Sequence, residues 1–128
     1  MPSRPTLISA LVICFAGAAD AQNRQPLSTS LTECSVIFTE QAELRARRNK
    51  DQTTTDAVLA SAALFVVEAR DQAAIEGIKN PYKHIQSAQV RLSETWHVRF
   101  GNLALLNENK DWIDYCRALG KDRGLTLP

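Results

Sequence analysis

Three residue groups in this sequence have types and spacings that could do chemistry. The first is a pair of cysteines, Cys34 and Cys116, eighty-two positions apart. The second is Glu94 and His97 in "ETWH", an acid and an imidazole one helical turn apart. The third is Arg99, a guanidinium set among Trp96, Phe100 and Leu103. Each supports several kinds of chemistry, and the surrounding pattern decides between them.

The cysteines could be nucleophiles, metal thiolates or a bridge. The chain holds three cysteines, and Cys14 lies within an apolar N-terminal run that reads as an export signal. Arg4 gives that run its positive flank, Leu7–Ala19 its uncharged centre, and "ADA" at 19–21 a small-x-small cleavage site. Thirteen such residues rise only about 20 Å as a helix, short of the roughly 30 Å hydrocarbon core. A lipoprotein signal would place a small residue before the acylated cysteine, and Ile13 stands there instead. Cleavage after Ala21 leaves Cys34 and Cys116 as an even pair in an oxidising compartment, where a disulfide is the default. Both also fall on the apolar stripe of a predicted helix, and burial disfavours the reactive thiolate. The expectation is a bridge, with no catalytic and no metal role.

Glu-x-x-His is one element of carboxylate-bridged metal sites in helical bundles. Such a site needs two copies, and His84 has Pro81 at the matching position. Two histidines thirteen apart lie about 220° round a helix, so they cannot share ligands. Glu94 and His97 also point away from the Leu92–Trp96 stripe. The reading is a solvated acid–imidazole pair, with no metal and no cofactor. Arg99 lies on the stripe and has three readings: snorkelling near a bend at Gly101, an ion pair with Asp111 or Asp114, or a contact with a partner. The basic run "RARRNK" at 45–50 could receive an anion, but it reads first as a solvated helix end.

These groups sit on four predicted helices. Residues 22–29 are polar and contain Pro26, which suits a flexible mature N-terminus. Ser30 and Glu33 form an S-x-x-E capping box for the first helix. Its stripe is Leu31, Cys34, Ile37, Phe38 and Ala42, and it ends near Arg48. Thr54, Thr55 or Asp56 opens a second helix, and Gly77 ends it. "AVLASAALFVV" makes it apolar on nearly all sides, as in a helix at the middle of a bundle or against a partner. Asn80 caps a third helix with Pro81 at its first position. That helix carries Ile85, Ala88, Leu92, Trp96, Phe100 and Leu103 on one stripe. Asn107 or Asn109 opens a fourth helix with Trp112, Tyr115, Cys116 and Leu119 on one side and Gly120 as its C-cap. Trp96, Trp112 and Tyr115 could line a ligand slot, but aromatics at this spacing belong first to a core.

No alternating strand pattern, repeat or low-complexity tract appears. The predicted fold is all-α: a small antiparallel four-helix bundle tied by one disulfide, spanning residues 30–120, with an irregular tail over 121–128. In up-down-up-down order the first and fourth helices are antiparallel neighbours, and both cysteines then lie at the same end.

Formal net charge is +1 with both signs interspersed, which offers no footprint for nucleic acid or an anionic membrane. No haem-attachment, redox C-x-x-C, phosphate-loop or nucleophile-elbow pattern is present. These features point to a periplasmic or secreted binder of another exported protein, as inhibitor, immunity factor or accessory subunit, and not to an enzyme. The alternative is a carrier of a small ligand or metal in the bundle interior.

Overall fold

The computed structural model describes residues 25–128. The segment read as an export signal and residues 22–24 lie outside the described residues. Four helices follow in order: α1 (Leu27–Arg47), α2 (Gln52–Ile75), α3 (Pro81–Phe100) and α4 (Leu106–Asp122), with a 3-10 turn at Leu103–Leu105 leading into α4. No strand occurs among the described residues. The architecture is the packed, all-helical bundle that the periodicity predicts, and Cys34 and Cys116 are bridged across it with Cα atoms 5.4 Å apart.

The centre of the bundle is α1, not the more apolar α2. Leu31, Cys34, Val36, Ile37, Phe38 and Ala42 are buried, and so are Ser28, Ser30, Thr32 and Ser35 on its other sides. A helix this polar can be buried because its buried hydroxyls are all bonded, those of Thr32 and Ser35 within the helix itself. Thr32 Oγ1 donates to the Ser28 carbonyl at 2.7 Å, and Ser35 Oγ to the Thr32 carbonyl at 2.6 Å. The back-bonded side chains present only small, mostly apolar surfaces to their neighbours. Phe38 stacks on Phe65 of α2 with ring centroids 5.5 Å apart. Val58, Ala62, Phe65, Ala69 and Ala73 form the buried face of α2. On α3, Ile85, Ala88, Trp96 and Phe100 are buried as predicted, with Leu92 partly buried.

The helix ends show where local reading falls short. Helix α1 begins at Leu27, three residues before the predicted start, with Pro26 as its N-cap and no side-chain cap. The Ser30–Glu33 box does not form. Ser30 Oγ accepts from Gln25 Nε2 at 2.9 Å, and Glu33 Oε1 accepts the Trp96 indole N–H at 3.0 Å. Ser28, placed by the sequence in a flexible segment, is buried and tied to Glu76. Helix α2 is capped by Asp51, whose carboxylate accepts the Thr54 N–H at 2.8 Å, rather than by Thr54, Thr55 or Asp56. Asn80 caps α3 as predicted, accepting from the Lys83 N–H at 3.1 Å.

At the C-terminal ends, α1, α2 and α4 finish in paired reverse bonds. Their left-handed residues are Asn49 (φ 51°), Gly77 (φ 84°) and Gly124 (φ 73°). For α4, the Gly124 N–H donates to the Lys121 carbonyl and the Leu125 N–H to the Gly120 carbonyl. Gly120 is therefore not the cap but a buried helical residue. A Cβ placed there would lie 3.1 Å from Phe65 Cζ and 3.0 Å from Leu127 Cδ1. The turn at Gly124 sends the chain back, so Leu125 and Leu127 of the otherwise irregular tail pack against the core. Leu103, predicted on the α3 stripe, is exposed, because α3 ends at Phe100 and the 3-10 turn breaks the phase.

Candidate functional site

The bridged pair comes first. Both cysteines are fully buried on facing helices. In the oxidised state neither sulfur can attack or ligate. A closed, buried bridge of this kind fits an oxidising compartment. No helix among the described residues is long and apolar enough to cross a membrane.

Arg99 forms an ion pair, but with neither of the carboxylates proposed from sequence. Its Nη2 donates to Glu108 Oε2 at 3.2 Å, because α4 starts early enough to put Glu108 in its first turn, beside the end of α3. The guanidinium also lies 4.9 Å from the centre of the Trp96 ring. The Arg99 carbonyl accepts from Asn109 Nδ2 at 3.0 Å. Arg99 thus joins α3 to α4 as a brace, with its Nε left without a partner.

Glu94 and His97 are both exposed, as their position opposite the stripe requires, but they do not pair with each other. His97 Nδ1 instead lies 3.1 Å from Oε2 of Glu40, a carboxylate on α1 that is 5% exposed. Glu43, one turn further along α1, brings a third donor, and ligand atoms of the three residues lie within 4.8 Å of one another. Two carboxylate oxygens and an imidazole are donors that suit a divalent cation with open positions. Intrahelical spacing pointed to Glu94, whereas packing of α3 on α1 selects Glu40.

Helix α2 is covered on one side only. From Ala57 to Val67 it carries no charge, yet only part of that surface faces α1. Leu59, Ala60, Ala63, Leu64 and Val67 cover an arc of about 140° on the other side, and all five are exposed. Val67 keeps 55% and Leu59 44% of its surface in water. Asp56 borders the arc at one end, and Asp71 with Arg70 borders it at the other. Arg70 is itself held 4.2 Å over the Tyr82 ring of α3. The all-round apolar composition was legible in the sequence; which side stays uncovered was not.

Two carboxylates are held below their usual range. Burial pushes the Glu76 carboxyl up, but bonds from the Ser28 hydroxyl and N–H, from Gln72, and the charge of His84 together outweigh it. Asp51 is lowered mainly by the bonds it accepts from Thr54, with Arg45 assisting. Both groups are helix-end devices. Trp96 is buried, while Trp112 and Tyr115 extend it outward in edge-on pairs with centroids 5.4 and 5.6 Å apart. This is a core-to-surface aromatic row and not a slot.

No family model, curated protein or solved structure matches the chain.

Proposed function

We propose that the chain is an exported helical protein of the periplasm or extracellular space that acts by binding another exported protein, as inhibitor, immunity factor or accessory subunit. The observation that carries this reading is the exposed apolar arc of α2. Covering a fully exposed Leu or Val side chain is worth roughly 1.5–3 kcal/mol. Helix α2 is already fixed against α1, so a partner gains that energy with little ordering cost. The surrounding polar clusters support binding over catalysis, because each has a structural duty. Glu33 holds Trp96, Glu40 holds His97, and Arg99 braces α4.

The test compares the oxidised chain with a Leu59→Glu/Val67→Glu variant in affinity capture from the exported fraction of the source cells. A protein retained by the native chain and lost with the variant, while circular dichroism and melting stay unchanged, supports the reading. Retention that is indifferent to the two substitutions defeats it. Sedimentation of the purified chain adds a second check. Self-association abolished by the same substitutions would replace the foreign partner with a second copy.

A further inference from the structure

We propose that the cleft between the C-terminal end of α1 and the first two turns of α4 binds a small organic acid: an anionic group on a compact apolar body that also carries a hydrogen-bond donor. The cleft has a volume of about 210 Å³. Its apolar wall is Leu44, Phe100, Leu106 and Ile113. Its cations are Arg45, Arg48, Lys50 and Lys110, and no acidic residue among the described residues lines it.

Arg45 is already engaged, with Nη2 3.0 Å from Asp51 Oδ1. Arg48, Lys50 and Lys110 take part in no ion pair among the described residues. The backbone places Lys50. Asn49 adopts the left-handed conformation, and the Lys50 N–H turns back to the Arg45 carbonyl at 3.0 Å. That turn folds Lys50 over the end of α1 instead of letting the chain run away from it. Three cations with no carboxylate among them leave a local positive field that an anion lowers.

Two further lining residues specify more than charge. Asn109 is 3% exposed, and its Nδ2 donates to the Arg99 carbonyl, which fixes the orientation of the amide. Its Oδ1 is sealed from solvent without a donor, and so is Oε1 of Gln41. A buried acceptor left unpaired costs about 1–3 kcal/mol, so a ligand donor that meets Gln41 Oε1 as its amide turns into the cleft recovers energy the empty cleft forfeits. Gln41 is half-buried and can turn its amide toward such a group. The anion answers the cations, the apolar body answers Leu44, Phe100 and Ile113, and the donor answers the Gln41 amide oxygen. The volume falls below the roughly 300–1,000 Å³ of drug-sized sites, which limits the body to about one ring.

No residue of α2 lines the cleft, so this site stands or falls independently of the docking face. The test follows backbone amide shifts of the oxidised chain by NMR during titration with p-hydroxybenzoate. Three comparison probes each lack one feature: benzoate has no hydroxyl donor, p-cresol has no charge, and inorganic phosphate has no apolar body. The expected result is saturable shifts at Leu44, Arg48, Lys50, Asn109 and Lys110, with weaker binding of all three comparison probes. Lys110→Gln, a change at an exposed residue, should weaken p-hydroxybenzoate roughly tenfold with unaltered melting. Absence of saturation at millimolar p-hydroxybenzoate overturns the proposal. Equal affinity for phosphate overturns the organic-acid assignment, and indifference to Lys110→Gln overturns the cleft as its location.

Discussion

Glu76, the residue just past the end of α2, acts as the N-terminal cap of α1. Its carboxylate accepts the Ser28 N–H at 3.0 Å and the Ser28 hydroxyl at 2.6 Å. Helix α1 has no side-chain cap of its own and no acid in its first turn. A carboxylate from another helix therefore supplies both the missing acceptor and the negative charge that the N-terminal dipole favours. The central helix is closed by its neighbour, which couples the two elements that share most of the core.

This arrangement fixes a pH dependence. The folded-state pKa of Glu76 lies below its ordinary value, so the tie contributes stability above that ordinary value and loses it as pH falls through the folded one. Asp51 has the same sign. Melting temperature should hold steady at neutral pH and fall below about pH 4. Glu76→Gln should cost about 1 kcal/mol at neutral pH, as loss of a cap does, and should flatten the acid limb. Thermal unfolding of both proteins across the pH range measures this, and parallel acid limbs would refute the assignment.

The bridge closes a loop with a sequence separation of 82 residues. On the chain-entropy account such a closure is worth about 4.5 kcal/mol, a large part of the roughly 5–15 kcal/mol of a whole domain. Reduction, or a Cys34→Ser/Cys116→Ser double replacement, should lower denaturant stability by about 3–5 kcal/mol. Unreduced protein unfolded in denaturant should show no reactive thiol at either position.

His97 and Glu94 separate a tertiary contact from a sequence spacing. His97→Ala removes the hydrogen-bond partner of the buried Glu40 carboxylate and should destabilise the fold by about 1–3 kcal/mol. Glu94→Gln changes an exposed side chain that has no partner among the described residues and should stay within about 0.5 kcal/mol. Urea melts of the two variants measure the difference.

Gly120 opposes two effects of similar size. Alanine gains about 1 kcal/mol in helix propensity, but its Cβ would meet Phe65 at 3.1 Å and Leu127 at 3.0 Å. Leu127 belongs to the tail and can yield; Phe65 is fully buried and cannot. Overpacking costs about 1–3 kcal/mol, so Gly120→Ala should be destabilising overall, by about 1 kcal/mol. A more stable variant would show that Phe65 has room to move.

Apolar periodicity alone located all four helices, because each buries one continuous stripe: Leu31–Ala42, the apolar run after Asp56, Ile85–Phe100 and Trp112–Leu119. The pairing of Cys34 with Cys116 was also legible, since two cysteines on core-facing stripes of antiparallel neighbours leave little choice of partner. The caps were only partly legible. Asn80–Pro81 works through a single local bond, so its signature is local too. The Ser30–Glu33 signature failed because Gln25 and Trp96, both outside its four-residue window, outcompete it.

What the sequence determined by itself is what rests on short-range physics: helix type, the stripes, the Asn80 and Gly77 boundaries, and the bridge. The tertiary structure alone decided which helix lies at the centre. Composition left α2, the most apolar, either at the middle or against a partner; packing put α1 at the middle, where Thr32, Ser35 and Thr39 bond to their own helix's carbonyls and lose their apparent polarity. It also decided that His97 meets Glu40, that Arg99 meets Glu108, and that the Asn109 amide binds the Arg99 carbonyl. These outcomes depend on how helices cross and how far each is displaced along its neighbour. The relative energies of such arrangements come from side chains distant in sequence, so no local window contains them.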